Sequence, residues 1–137
     1  MTGTPTAVVL DASALLALVL QERGIDRVEA ALRVGGFMTA INWAETLSDL
    51  AERGESVDHS VSRVKRIVAE MGSITIGPFD ETHAAEAARL RPATRHLGLS
   101  LADRACLALG RRHRLPVLTT HRAWRSLQIS VKIEVIR

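Results

Sequence analysis

Short apolar runs alternate with longer, more polar stretches along the chain and predict five β-strands. Each run is rich in β-branched or other apolar residues and is bounded by turn-forming or polar residues. The predicted strands cover residues 7–10, 36–40, 73–77, 116–119 and 131–136. Helical patterns separate them, so we expect an α/β fold, a three-layer sandwich with a mostly parallel sheet flanked by helices. No linker, internal repeat or low-complexity tract divides the chain, so we expect one domain over residues 1–137.

Three of the intervening segments have clear helical patterns. In residues 57–71 an apolar stripe predicts a face packed on the core, with a contact to another protein chain as the alternative. The stripe consists of Val57, Val61, Val64, Val68 and Met71. Residues 80–95 are rich in alanine and charge, and Pro92 predicts a break or kink. Residues 101–112 form an apolar helix that ends in two arginines, which complement the negative end of the helix dipole.

The composition is that of an ordinary water-soluble domain. Apolar residues make up 47% of the chain and charged residues 24%, and no apolar run is long enough to span a membrane. Residues 1–6 lack the basic start and cleavage site of a signal peptide. The single cysteine, Cys106, excludes an intrachain disulfide and is predicted to pack in the core. We therefore expect a cytoplasmic protein.

The net charge of +3 is unevenly distributed. Residues 1–70 carry 7 basic and 10 acidic side chains, a net of −3, whereas residues 71–137 carry 11 and 5, a net of +6. Of the 18 basic residues, 16 are arginine, whose planar donor fork suits phosphate. The basic half is compatible with nucleic-acid binding, but charge alone favours a solvated surface in an arginine-rich chain.

Three acids and one histidine follow predicted strands or begin helices. Asp11 ends the first strand, Glu45 follows the second by a few residues, Asp103 lies at the start of the helix over 101–112, and His121 follows the fourth strand. In an open α/β sheet such junctions lie along one edge. The sequence therefore predicts that Asp11, Glu45, Asp103 and His121 converge on one pocket.

Each acid also has a purely structural interpretation. Asp11 is suited to N-cap a helix that starts near Ser13. Glu45 stands three residues after Asn42, and Asp103 three after Ser100, and both spacings match a capping box. Against this, Asp103 lies on an apolar stripe of its helix, where a carboxylate needs a partner. Asp11, in turn, closes a strand of the type that is buried on both faces.

Convergent carboxylates would require either protons or a divalent cation to relieve their repulsion. At about 4 Å and an effective dielectric near 20, each like-charged pair costs on the order of 4 kcal/mol. Oxygen ligands without cysteine suit Mg²⁺ or Mn²⁺. These ions polarise phosphoryl oxygens and acidify water, so phosphodiester hydrolysis is the chemistry indicated.

Four segments together resemble the PIN-domain ribonucleases, and among them the VapC-type toxins of bacterial toxin–antitoxin pairs. The segments are VVLDASALLA at 8–17, NWAETL at 42–47, LSLADRACLAL at 99–109 and LPVLTTHRAW at 115–124. The resemblance implies Mg²⁺- or Mn²⁺-dependent cleavage of single-stranded or loop RNA, a homodimer, and inhibition by a cognate antitoxin. It also implies that Asp11 and Asp103 bind the metal directly and that Glu45 holds a metal-associated water or completes the acidic ring. Ser13 and Thr119 would support the pocket through their hydroxyl groups and are candidate substrate contacts.

His121 departs from the family pattern, which usually has an acid at this position. The imidazole either binds a transition metal, transfers protons, or weakens the site. A neutral ring leaves less negative charge, so weaker cation binding is the outcome we favour. The sequence then predicts a functioning but metal-sensitive ribonuclease, with a catalytically impaired RNA- or protein-binding module and a housekeeping RNA-processing nuclease as alternatives.

Several further residues have open roles. Arg104, Arg122 and Arg125 flank predicted site residues and are interpreted equally well as phosphate-binding groups or as exposed helix-surface residues. Trp43 and Trp124 are predicted to pack rather than to stack on bases. The remaining four histidines show no metal-ligand spacing and are predicted to be at the surface; they are His59, His83, His96 and His113.

Overall fold

The five predicted strands form one sheet in which every neighbouring pair is parallel. A computed structural model describes residues 6–137. The prediction that residues 1–6 lack the features of a signal peptide therefore lies largely outside the described residues. The strands are β1 Val8–Leu10, β2 Gly36–Thr39, β3 Ile74–Gly77, β4 Val117–Thr119 and β5 Ile133–Val135, in the order β3-β2-β1-β4-β5. Their pairings are all parallel. The predicted sheet and the positions of its strands are thus confirmed.

Within residues 6–137, seven α-helices connect or follow the strands. They are α1 Ala12–Val19, α2 Ile25–Val34, α3 Ala40–Glu52, α4 Val57–Met71, α5 Glu81–Arg89, α6 Arg91–Thr94 and α7 Leu101–His113. The break at Pro92 is confirmed, because α5 ends at Arg89 and Pro92 lies in the first turn of α6. In this part of the chain no helix has both the length and the apolar character needed to cross a membrane.

Helices cover both faces of the sheet because alternate strand residues point to opposite sides. Val8 and Leu10 join a core formed largely with α1, α2 and α4, whereas Val9 joins a second core formed with α5 and α7. The predicted packing of Cys106 is confirmed, since it is fully buried in the second core.

The apolar stripe of α4 is only partly core. Val64 and Val68 are buried against the first core, as predicted. Val57, at the beginning of the helix, is 50% exposed. The prediction of a continuous core-facing stripe is therefore wrong for the first turn of α4.

Helix α7 approaches the sheet closely at Gly110. A Cβ atom at this position would lie 2.6 Å from Cγ2 of Val117 in β4, well inside van der Waals contact. The absence of a side chain lets the helix lie directly against β4. This packing brings the beginning of α7 to the same edge of the sheet as the ends of β1 and β4.

Candidate functional site

Asp11 lies at the carboxyl end of β1 and caps α1. Its Oδ1 accepts hydrogen bonds from the Ala14 backbone N–H at 2.8 Å and from the Ser13 hydroxyl at 2.7 Å. The sequence-based expectation that Asp11 is an N-cap is confirmed. An N-cap needs only one side-chain oxygen, so the second oxygen remains for other contacts.

The second oxygen of Asp11 is held by the end of β4. The hydroxyl of Thr119 donates to Oδ2 at 2.6 Å and accepts a hydrogen bond from the His121 backbone N–H at 3.1 Å. On the other side, the Ser13 hydroxyl accepts from the Thr120 N–H at 3.0 Å. The hydroxyls of Ser13 and Thr119 thus join β1 to β4 and orient the Asp11 carboxylate. Both hydroxyls donate their hydrogen bonds to Asp11.

The charge of Asp11 is poorly compensated. The residue is only 2% exposed, and burial raises the pKa of its carboxyl, although the hydrogen bonds from Thr119, Ser13 and Ala14 oppose the rise. The nearest basic group is His121, whose Nε2 lies 3.8 Å from Oδ2 and whose side chain is 51% exposed. A buried anion of this kind is stabilised by an added cation.

Glu45 is oriented by Asn42, but not through the predicted capping box. The N-cap of α3 is Thr39, whose hydroxyl accepts a hydrogen bond from the Asn42 N–H. Glu45 therefore lies in the second turn of α3 and not at the third helical residue, where a capping box needs its acid. The Asn42 side chain is buried; its Nδ2 donates to Glu45 Oε1 at 3.4 Å and to the Ala102 carbonyl at 3.0 Å. Asn42 therefore fixes α3 against the beginning of α7.

The electrostatics of Glu45 show that the acids are neighbours. Burial raises the pKa of the Glu45 carboxyl, and the charges of Asp103 and Asp11 raise it further. The hydrogen bond from Asn42 and the nearby His121 act in the opposite direction. Like charges at this edge of the sheet disfavour one another's ionisation, as the convergence predicted from the sequence requires.

Asp103 lies at the third position of α7 and completes the predicted capping box with Ser100. The Ser100 hydroxyl accepts from the Asp103 N–H at 3.1 Å, and Asp103 Oδ2 accepts from the Ser100 N–H at 3.0 Å. The residue is half-buried. One oxygen is thus occupied by the cap, and the side chain still faces the cavity between α1, α3 and α7.

One cavity of about 210 Å³ brings the four predicted side chains together. Asp11, Glu45, Asp103 and His121 all line it, with Ser13 beside them. It also contains an acid that the sequence interpretation missed: Asp49, whose Oδ1 accepts from Arg53 Nε at 2.7 Å. Asp49 follows Glu45 by four residues and so lies on the same face of α3, a spacing that was available as a signal.

Two arginines proposed as substrate contacts lie outside this cavity. Arg104 is only 9% exposed, and its Nη1 donates to the Ala87 carbonyl of α5 at 3.2 Å, so it points away from the acids. Arg122 is exposed and donates from Nε to the Arg137 carbonyl at 3.1 Å. Arg104 is thus neither exposed nor at the cavity, because α5 covers that side of α7.

The aromatic and histidine predictions have mixed outcomes. Trp124 is buried, as predicted, and lies beside His121 with 5.2 Å between the ring centroids.

The prediction that four histidines lie at the surface is confirmed for three of them: His59, His96 and His113. It is wrong for His83, which is 1% exposed, because α5 packs on α7 and places His83 Nε2 2.8 Å from the Ala105 carbonyl.

The donor set of the cavity fits a hard divalent cation with few protein ligands. Its acids offer carboxylate oxygens, and their mutual repulsion is relieved by positive charge. Within residues 6–137 no three His, Cys, Asp or Glu side chains lie close enough together to hold one ion. Mg²⁺ commonly keeps several waters and binds through one or two carboxylates, so such a cluster is not required.

Comparisons with known proteins agree on the family and the fold. A family model described as PIN domain matches residues 8–128. Among solved structures, a toxin–antitoxin complex from Klebsiella pneumoniae is 17% identical, with a TM-score of 0.70 over 96% of this chain and 98% of that chain. VapBC2 from Rickettsia felis, bound to a promoter DNA fragment, is 12% identical, with a TM-score of 0.72 over 95% and 98%. VapBC-5 from Mycobacterium tuberculosis is 25% identical, with a TM-score of 0.54 over 97% and 99%. No curated protein sequence matches the chain.

Proposed function

Because this chain belongs to the PIN domain family, we propose that it is a metal-dependent endoribonuclease toxin that cleaves single-stranded or loop RNA. The observation that carries the proposal is the convergence of Asp11, Glu45 and Asp103 on one cavity at the carboxyl edge of the sheet. Open α/β sheets bind their ligands at this edge. Among solved structures that share the fold, one is described as a toxin–antitoxin complex and another as a member of the VapBC family of toxin–antitoxin systems, which supports the toxin assignment.

The proposed metal ligands are Asp11 and Asp103. Asp11 suits this role because Ser13, Ala14 and Thr119 hold both of its oxygens in place before any ion arrives. Asp103 suits it because its cap with Ser100 orients the carboxylate. A Mg²⁺ or Mn²⁺ ion bound there supplies Lewis-acid stabilisation of the phosphoryl oxygens and lowers the pKa of water.

Glu45 is the proposed proton acceptor for the attacking water. Its carboxylate is held by Asn42, and its pKa is raised by burial and by its acidic neighbours. A raised pKa makes a carboxylate a better base near neutral pH. His121 lies at the rim and, when neutral, adds no negative charge, so we propose weaker cation binding than a fourth acid would give.

The proposed partners are RNA, a cognate antitoxin and a second copy of the chain. The antitoxin proposal rests on solved relatives of the same fold, which are described as toxin–antitoxin or VapBC assemblies. An antitoxin that covers the acidic cavity would exclude RNA from it. The proposed location is the cytoplasm, where RNA and the antitoxin would be found.

A catalytically impaired binding module is the second candidate. One observation favours it: His121 stands at the position where the resemblance implies a fourth acid. A module of this kind would keep the fold and bind RNA or protein without cleaving a phosphodiester bond.

An RNA cleavage assay separates these functions. The wild-type chain is incubated with structured and single-stranded RNAs in Mg²⁺, in Mn²⁺ and in EDTA, beside Asp11→Asn and the matched control Asp58→Asn. Asp58 is an exposed acid in the first turn of α4, away from the cavity. We expect cleavage by the wild type and the Asp58 variant in either metal, with none in EDTA and none by the Asp11 variant. The binding-module alternative predicts no metal-dependent cleavage of any RNA by the wild type.

Expression in a bacterial host distinguishes a toxin from a processing nuclease. A toxin is expected to arrest growth when the wild-type chain is induced, and Asp11→Asn is expected to relieve the arrest. Cleavage in vitro without growth arrest would favour the housekeeping nuclease.

A further inference from the structure

A basic groove lies between α5 and α7, apart from the acidic cavity. Its volume is about 410 Å³, and it is lined by Glu86, Arg89, Ala108, Arg111 and Arg112. Three arginines and one glutamate give it a net charge of +2. Arg112 pairs with Glu86 at 3.0 Å, so the excess charge lies on Arg89 and Arg111.

Arg104 adds to the positive charge of the same helix face. It precedes Ala108 by four residues and Arg111 by seven, a spacing that places all three on the side of α7 that faces α5. Arg104 is 9% exposed, its Nε has no hydrogen-bond partner within residues 6–137, and no carboxylate there pairs with it. A buried cation without a counter-ion raises the local potential, which favours an external anion.

The pairing of arginines differs between the two halves of the chain. In residues 6–70, four of six arginines form ion pairs: Arg27, Arg33, Arg53 and Arg63. In residues 71–137, only two of ten do so: Arg112 and Arg137. Arginines outnumber acids by ten to five in the second half, and no carboxylate of the described residues pairs with Arg89 or Arg111. The charge of these two groove arginines is therefore not neutralised within the described residues.

Helix α7 connects the groove to the acidic cavity. Asp103 lies in its first turn and Arg111 eight residues later, which is about 12 Å along the helix axis at 1.5 Å per residue. A nucleic-acid strand in helical form advances about 3.4 Å per nucleotide. The separation therefore corresponds to roughly three or four nucleotides.

We propose that the groove between α5 and α7 binds the phosphodiester backbone of the RNA segment that flanks the cleaved bond. Arg89 and Arg111 supply the contacts, and Arg104 adds to the local potential. The inference rests on the proposed function for the identity of the substrate, but binding in the groove does not require cleavage. It predicts that this protein binds long RNAs more tightly than RNAs too short to reach the groove.

The test compares two double variants with the same change of charge. Arg89→Ala/Arg111→Ala removes the free groove arginines and leaves the Arg112–Glu86 pair intact. Arg23→Ala/Arg66→Ala is the control, because both residues are exposed and form no ion pair within residues 6–137. Each pair is placed in an Asp11→Asn background, and binding of a fluorescent 20-nucleotide RNA is measured in EDTA over a range of salt concentrations.

The groove variant should weaken RNA binding by about tenfold and reduce the slope of log K against log salt by about 1.4, near 0.7 for each lost phosphate contact. The control should change the dissociation constant by less than about threefold, since its charges lie outside the groove. An equal loss in both variants, an unchanged slope in the groove variant, or no RNA binding by the parent protein would overturn the proposal.

A cleavage measurement separates failure of the groove from failure of the proposed function. With Asp11 restored, the groove variant should cleave a dinucleotide, which is too short to reach the groove, as fast as wild type and a 20-nucleotide RNA about tenfold more slowly at subsaturating substrate. Equal slowing on both lengths would refute the groove alone. Tight, groove-dependent RNA binding by a wild type that cleaves nothing would refute the nuclease and leave the groove in place.

Discussion

Replacing Thr119 with valine tests the central hydrogen bond of the acidic cavity. Thr119 is fully buried, and valine keeps its shape while removing the hydroxyl. Two bonds are lost: the one donated to Asp11 Oδ2 at 2.6 Å and the one accepted from the His121 N–H at 3.1 Å. The first holds the end of β4 against β1, and the second fixes the turn that follows β4.

The expected cost depends on the charge of Asp11. A hydrogen bond to a charged group contributes about 1.5–3 kcal/mol, and a neutral one about 0.5–1.5 kcal/mol. With Asp11 ionised, Thr119→Val should therefore lower the free energy of unfolding by about 2–4 kcal/mol. With Asp11 protonated, both lost bonds are neutral, and the cost should fall by about 1–2 kcal/mol.

The sign of the pH dependence follows from the pKa of Asp11. Burial raises this pKa above its ordinary value of 3.8, and the Thr119 hydroxyl opposes the rise. Asp11 therefore contributes stability that is present below the unfolded pKa and lost as pH rises through the folded pKa. Without the hydroxyl the folded pKa rises further, so the variant loses more stability on going to high pH than the wild type does.

Urea unfolding in EDTA at about pH 3.5, below the ordinary pKa of 3.8, and at pH 8, followed by the fluorescence of Trp43 and Trp124, measures this cost. Thr119→Ser is the control, because it keeps the hydroxyl and loses only a methyl group, at about 1 kcal/mol and without pH dependence. A cost below about 0.5 kcal/mol, or an equal cost at both pH values, would refute the reasoning.

Three other substitutions test separate parts of the site. Since burial raises the pKa of Asp11, Asp11→Asn should make the cation-free protein more stable at pH 8 and abolish any gain in melting temperature on addition of Mn²⁺; equal gains in both proteins would argue against a metal ligand. His121→Asp adds a negative charge whose attraction for a doubly charged ion is worth about 2 kcal/mol at 4 Å in water, so Mn²⁺ affinity measured by calorimetry should rise by about thirtyfold, and an unchanged affinity with an unchanged cleavage rate would count against a weakened site. Asn42→Ala removes the bonds to the Ala102 carbonyl and to Glu45 and should lower the free energy of unfolding by about 1–3 kcal/mol. If the cleavage rate of that variant equals that of wild type, Glu45 does not depend on Asn42 for its position.

The sheet and most helices were predictable because their signals are local. The bounds of α4 agree with the predicted residues 57–71, since Ser56 caps its beginning and Gly72 follows its end. Helix α2 was not anticipated. Its buried face consists of only Val28, Ala31 and Leu32, too short a stripe to stand out from the polar residues around it.

The parts of the site that depend on helix capping were also predictable. Asp11 and Asp103 cap helices at the sheet edge, and both roles depend on residues within three positions. Glu45 was harder, because Thr39 and Asn42 are both suitable caps for α3. The structure uses Thr39, whose extended backbone, φ −74° and ψ 154°, ends β2, and this choice moves Glu45 to the second turn.

Burial of polar residues far apart in sequence could not be predicted from local patterns. His83 lies in a segment rich in alanine and charge, and Arg104 follows the acidic Asp103. Both are nevertheless buried, and each contacts the backbone of the other's helix. Their burial results from the packing of α5 on α7, a tertiary contact that has no periodic signal. The basic groove arises from the same packing.

A crystal of the protein soaked in Mn²⁺, measured near the manganese absorption edge, tests the central claim most directly. We predict an anomalous difference peak in the acidic cavity within about 2.5 Å of carboxylate oxygens of Asp11 and Asp103. The peak should be absent from crystals of Asp11→Asn. No peak in the cavity at a Mn²⁺ concentration that supports RNA cleavage in solution, or a peak held by other residues, would contradict the account.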